Sequence, residues 1–166
     1  MEFKKLLGKE SKNKYYIKKS AEFFKIRKYY KKCIDSIEIA NHLAKTSFPA
    51  KNHWVITISY YSMLYISKAL ILTKGYETDD HYATQIALEH LFMPKLLEEK
   101  DIEILRETQQ MLEEEYIEYF EDARKESNTS RYSATKTYKE RRASEVNKNA
   151  NKFISKLIKL LEKTPY

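Results

Sequence analysis

Tyr60, Tyr61 and Tyr65 crowd into one apolar stretch of the chain. A tyrosine ring stacks on a nucleobase or packs in a core, and its hydroxyl needs a partner in either place. His81 follows directly on Asp79 and Asp80. An imidazole there can titrate near neutrality or meet a phosphate, and the plainer reading is a surface histidine. Arg131 and Tyr132 adjoin in a Ser/Thr-rich stretch, shortly after Arg124. Arginine beside an aromatic suits phosphate clamping with stacking, and it serves equally well as a cap on helix carbonyls.

Other chemistries find no residues to carry them. Glycine occurs only at Gly8 and Gly75, so no glycine-rich phosphate loop is possible. His42, His53, His81 and His90 show no metal-ligand spacing with one another, and the single Cys33 can build neither a zinc site nor an internal disulfide. No Glu-x-x-His pair of the di-iron bundle type and no nucleophile motif is present. The expectation is a protein without metal or cofactor.

The elements that must position these residues read as helices. A chain of 166 residues with two glycines and three prolines cannot supply the tight turns of an antiparallel β fold. Phe23, Ile26, Tyr30, Cys33, Ile34, Ile37, Ala40 and Ala44 recur at helical spacing, which predicts a first long helix over 20–45. The stretch 50–74 is apolar nearly all round, as a central helix would be, and Gly75 stops it. Asp79 or Asp80 then caps a short helix carrying Ile86, Leu88 and Leu91, which must yield before Pro94. Leu105, Leu112, Tyr116, Tyr119, Phe120 and Ala123 stripe a helix over 96–125. The stretch 126–137 reads as a loop, and Ala143, Val146, Ala150, Phe153, Ile154, Leu157 and Leu161 face inward from a last helix over 139–162. The prediction is an all-α, up-and-down bundle of four long helices plus one short helix, without a sheet.

Charge divides along the chain. Residues 94–123 hold three basic and eleven acidic side chains, whereas 124–163 hold twelve basic and four acidic. The first nineteen residues carry seven lysines against two glutamates, and the formal net charge is +7. Basic ends attract phosphates or RNA, while an acidic helix packed beside a basic one simply neutralises it. The span Trp54 to Leu72 approaches membrane length, but its hydroxyls and Lys68 favour a buried bundle helix. No signal peptide opens the chain, and a cytoplasmic location without membrane contact is expected.

Taken in order, "WVITISYYSMLYISKALILTKGY" (Trp54 to Tyr76), His81, "RYSATKTY" and "NANKFISKLIKLL" resemble the HEPN family of small archaeal and bacterial helical domains. The resemblance covers about residues 15–163, with residues 1–14 left as a basic extension. It implies a homodimeric helical bundle, often paired with a minimal nucleotidyltransferase in two-component or toxin–antitoxin systems. Catalytic members are metal-independent ribonucleases that use an arginine followed four to six residues later by a histidine. Here the last histidine, His90, precedes Arg124 and Arg131, and Arg27 lies too far from His42. The hydroxyl of Tyr132, with an ordinary pKa near 10, is a poor base at neutral pH. The resemblance therefore implies a non-catalytic module binding nucleotide, RNA or a nucleotidyltransferase partner. It assigns that binding to Tyr61, Lys74, His81, Arg124, Arg131 and Tyr132. The alternatives are a ribonuclease built on Arg124, Arg131 and Tyr132, and a purely structural protein–protein interaction module.

Overall fold

The computed structural model describes residues 2–11, 14–48, 51–124 and 132–165, and only the backbone for residues 10, 11, 14, 15, 115, 116, 118–124 and 132–138. Its elements are α1 (Glu2–Leu6), β1 (Glu10–Ser11), β2 (Lys14–Tyr15), β3 (Ile17–Lys19), α2 (Phe24–Ala44), α3 (Lys51–Leu72), β4 (Tyr76–Thr78), α4 (His81–Phe92), α5 (Glu99–Arg124) and α6 (Tyr132–Lys163). The fold is all-α, and the four long helices required by the periodicity are α2, α3, α5 and α6.

The hub is α3, which packs against α2, α4, α5, α6 and β4. A helix covered over most of its circumference has little use for a polar face: Val55, Ile56, Leu64, Ala69 and Leu72 are buried at positions spread round it, and Trp54 and Tyr61 mark the side left exposed. By length and composition α3 could cross a membrane, yet 78% of its apolar window is buried inside the fold. It is a core helix. The neighbours present one stripe each: Ile26, Cys33, Ile37 and Ala40 from α2, and Ala143, Val146, Ala150, Phe153 and Leu157 from α6. From α5, Leu105 and Leu112 are buried as expected, while the side chains of Tyr116, Tyr119, Phe120 and Ala123 lie outside the described residues.

Where α2, α3 and α6 meet, a polar knot interrupts the core. Asn151 and Asn147 both donate to Asn41 Oδ1, at 2.8 and 2.9 Å, and Ser59 donates to Asn147 Oδ1 at 3.2 Å. Satisfied amides at such a junction admit only one sliding register of the helices.

Three features depart from the sequence expectation. Two short antiparallel ladders exist, β1 with β2 and β3 with β4, the latter pairing Ile17 with Thr78 and Lys19 with Tyr76. Runs of two or three residues are too short to show an alternation, so none was readable. Gly75, at φ 76°, turns the chain out of α3 and into β4, and its carbonyl accepts from Ser20 at 2.9 Å. Second, Phe3 of the basic N-terminal stretch is buried, stacked on His90 at 4.3 Å and edge-on to Tyr76 at 5.2 Å. Third, α6 begins at Tyr132, so residues 132–137 are helical and not loop. That stretch lacks glycine and proline, and a helix already formed downstream extends through it at little cost.

Candidate functional site

Asp80 fixes the entry to α4: its Oδ1 accepts from the Ala83 amide at 2.6 Å, an N-cap that satisfies a donor the helix itself leaves unpaired. His81 therefore occupies the first turn, beside α3. There its ring stacks on fully buried Tyr60, with centroids 5.2 Å apart and planes at 20°. The Tyr60 hydroxyl meets His81 Nδ1 at 2.5 Å. Burial, reinforced by Tyr61 and Glu113, pushes the Tyr60 phenol well above its ordinary value, so it keeps its proton. Burial and then the Lys68 charge pull His81 below its ordinary value, against the opposing pull of Asp80 and Glu113. Either neutral group could donate at this contact, but the Tyr60 hydroxyl is buried and meets no other partner among the described residues, so only one assignment leaves no buried donor unpaired. Tyr60 donates, neutral His81 accepts at Nδ1, and Nε2–H is the ring's remaining polar group.

Around this pair lies a cleft of about 380 Å³, lined by Tyr60, Tyr61, His81 and Tyr82 on one side and by Gln109, Leu112 and Glu113 of α5 on the other, with Asp80 beside them. Tyr61 is 39% exposed and stands edge-on to both Tyr60, at 5.8 Å, and His81, at 5.9 Å. Tyr82 is exposed and donates to Glu2 at 2.7 Å. The opposite wall is held by a relay: buried Gln85 donates to Gln109 Oε1 at 2.8 Å, and Gln109 donates to Glu113 Oε1 at 2.9 Å. The cleft is large enough for a flat ring, offers aromatic faces to stack on, and has carboxylates near its edge. Among the described residues no cluster of three His, Cys, Asp or Glu side chains is disposed to hold a metal.

A family model for the HEPN domain matches residues 26–161, which span α2 to α6 except the first two residues of α2 and the last two of α6 and include every side chain of the cleft. The chain belongs to the HEPN family. A search of curated proteins finds none that matches it.

Of the residues that the HEPN resemblance singles out, the structure brings Tyr61 and His81 together in the cleft. Lys74 is elsewhere, just past the C-terminal end of α3, with its Nζ 5.9 Å from the centroid of the Phe92 ring. From Tyr61 to the end of α3 the axis advances about 16 Å, at 1.5 Å per residue. Arg124 is the last residue of α5 and Tyr132 the first of α6, and both side chains lie outside the described residues. Arg131 lies outside them altogether. Sequence reasoning missed Tyr82, Gln109 and Glu113 as cleft residues, and treated Asp80 only as a cap. Polar residues on the exposed face of an acidic helix look like solvation; only the fold reveals which of them face an aromatic pocket.

Proposed function

We propose that this chain is a non-catalytic, homodimeric HEPN-type module that binds a nucleotide or RNA, alone or together with a nucleotidyltransferase partner. One observation carries the reading: the cleft pairs exposed Tyr61 and Tyr82 with a histidine whose Nδ1 is already engaged by the Tyr60 hydroxyl. A general base must reach the proton it removes with a free lone pair. His81 instead keeps a donor, Nε2–H, which suits holding a ligand, and the stacked rings around it suit a base. The missing arginine-then-histidine spacing supports the same reading.

The test is light scattering of the purified protein, alone and with short single-stranded RNA and nucleotides, followed by incubation of the RNA in chelator. The expected result is a dimer whose RNA or nucleotide binding weakens as salt rises, with the RNA left intact. A monomer indifferent to RNA, nucleotides and a nucleotidyltransferase would overturn the proposal. Cleavage in chelator that is abolished by Arg131→Ala would replace it with the ribonuclease reading.

A further inference from the structure

The carboxylates at the cleft and the lysines beside it divide the labour of holding a strand, and the division points to one base. Phosphate is unwelcome between Asp80 and Glu113, since like charges repel. Glu113 is positioned by the Gln85–Gln109 relay, which engages its Oε1; its Oε2 has no hydrogen-bond partner within that relay. A carboxylate held this way presents two acceptors side by side. Guanine alone among the four RNA bases carries two adjacent donors on its pairing edge, N1–H and N2–H. Adenine and cytosine set a ring acceptor next to a single amino group, and uracil sets one N–H between two carbonyls. Each of those would place an oxygen or nitrogen lone pair against the carboxylate. Reading of the pairing edge of an unstacked base, stacked on aromatic rings, is the usual way single strands are recognised.

Beyond Tyr61 along α3 stands a cationic ridge. Tyr65 lies one helical turn beyond Tyr61 on α3, and the Lys32 ammonium sits 5.4 Å from the centroid of its ring. One turn back along α2 is Lys28, and Phe24, Lys25, Lys28, Tyr29 and Lys32 line a shallow depression of about 150 Å³. Lys25 is committed to Glu22 and Glu77, at 2.7 and 2.8 Å. Lys28 and Lys32 are exposed and form no ion pair among the described residues, so their charges face solvent.

We infer that this face binds a single RNA strand with a guanine in the Tyr61–His81–Glu113 cleft and the neighbouring phosphates on Lys32 and Lys28. The inference rests on the nucleotide-or-RNA reading above and adds to it the base and the path of the strand.

The test uses four 5′-labelled eight-nucleotide RNAs, all uridine except for a central G, A, C or U, titrated with the full chain by fluorescence anisotropy at several salt concentrations. The G strand should bind about tenfold tighter than the other three, in the range of a good bidentate base contact. Glu113→Gln, which leaves the shape of the side chain intact, should abolish that preference, so that the G strand binds no tighter than the A, C and U strands. The double variant Lys28→Gln, Lys32→Gln should weaken all four strands alike and reduce the slope of log affinity against log salt by about 1.4, two phosphate contacts' worth. Equal binding of the four strands by the native chain overturns the guanine assignment and leaves the RNA reading standing. A G preference that survives Glu113→Gln, or an unchanged salt slope in the lysine variant, removes that residue's role. No binding of any strand by folded protein overturns the inference together with the RNA half of the reading beneath it, and leaves the nucleotide half to the light-scattering test.

Discussion

Glu77 and His81 stand on either side of the turn into α4, and burial meets them with opposite outcomes. Burial resists the Glu77 charge, but Lys25, donating to Oε1 at 2.8 Å, and Lys18, 3.6 Å from Oε2, hold the carboxyl below its ordinary value and keep it ionised. At His81 the same cost of burial is met by giving up the charge, and a phenol supplies the hydrogen bond. A buried charge must consume its partners: Glu77 takes Lys18 and Lys25, approaches Tyr29 at 3.5 Å, and ties β3, α2 and β4 together. A neutral ring needs one partner and leaves its other nitrogen for a ligand. The first arrangement is a latch and the second a site, though their chemistry differs only in how each group meets the loss of water.

Removing the latch should have the larger effect. Glu77→Ala takes away a buried carboxylate with a charge-assisted hydrogen bond, which is worth about 1.5–3 kcal/mol. Lys25 keeps Glu22 at 2.7 Å and so is not stranded, which places the loss toward the lower end of that range. Urea unfolding at neutral pH measures it. A loss under about 0.5 kcal/mol, the size of an exposed pair, would mean that the latch is no more than a surface contact.

The same contrast shows what could be read from sequence. The continuous apolar run of α3, its stop at Gly75 and the Asp80 cap were legible because each is a local pattern. The site was half legible. Tyr61 and His81 stood out by residue type, but the Tyr60–His81 bond joins residues twenty-one positions apart, and no periodicity encodes that distance. Glu113 was hidden for a similar reason, because one glutamate on a helix rich in them is distinguished only by the Gln109 that holds it. The latch was invisible, since Lys18 and Lys25 belong to lysine-rich stretches and Glu77 lies between Gly75 and the Asp80 cap, where no periodicity marks it. Lys74 drew notice from its place beside Gly75, yet at the far end of α3 it sits over Phe92, outside the cleft.

A smaller change sharpens the site half of the comparison. Tyr60→Phe keeps the buried ring and deletes the donor to His81 Nδ1, which should cost about 0.5–1.5 kcal/mol. The telling readout is nitrogen NMR of the imidazole. In the native chain His81 should carry its proton on Nε2. In the variant that preference should weaken, and the ring should titrate closer to its ordinary value, because the hydrogen bond that favoured the neutral form is gone. An unchanged tautomer and titration would show that burial alone, without the phenol, sets the state of the ring.

The smallest effect separates the two groups by pH. The folded pKa of His81 lies below its ordinary value of 6.5, so as pH falls through 6.5 the unfolded chain takes up a proton that the folded chain refuses. Stability is therefore lost progressively from about pH 6.5 down to the folded value. Glu77 is also shifted down, but for an acid the loss begins only near its ordinary 4.5, where the unfolded carboxylate protonates first. Melting temperatures from pH 7.5 to 3.5 should thus decline in two steps. His81→Gln should flatten the upper step and spare the lower; Glu77→Gln should do the reverse. Lys68, Asp80 and Glu113 are the charged groups that face His81, and the His81→Gln variant separates the imidazole's part in the upper step from theirs. If His81→Gln leaves the decline between pH 7 and 5 as steep as in the native chain, the ring is not held neutral by the fold, and the contrast between latch and site loses its second half.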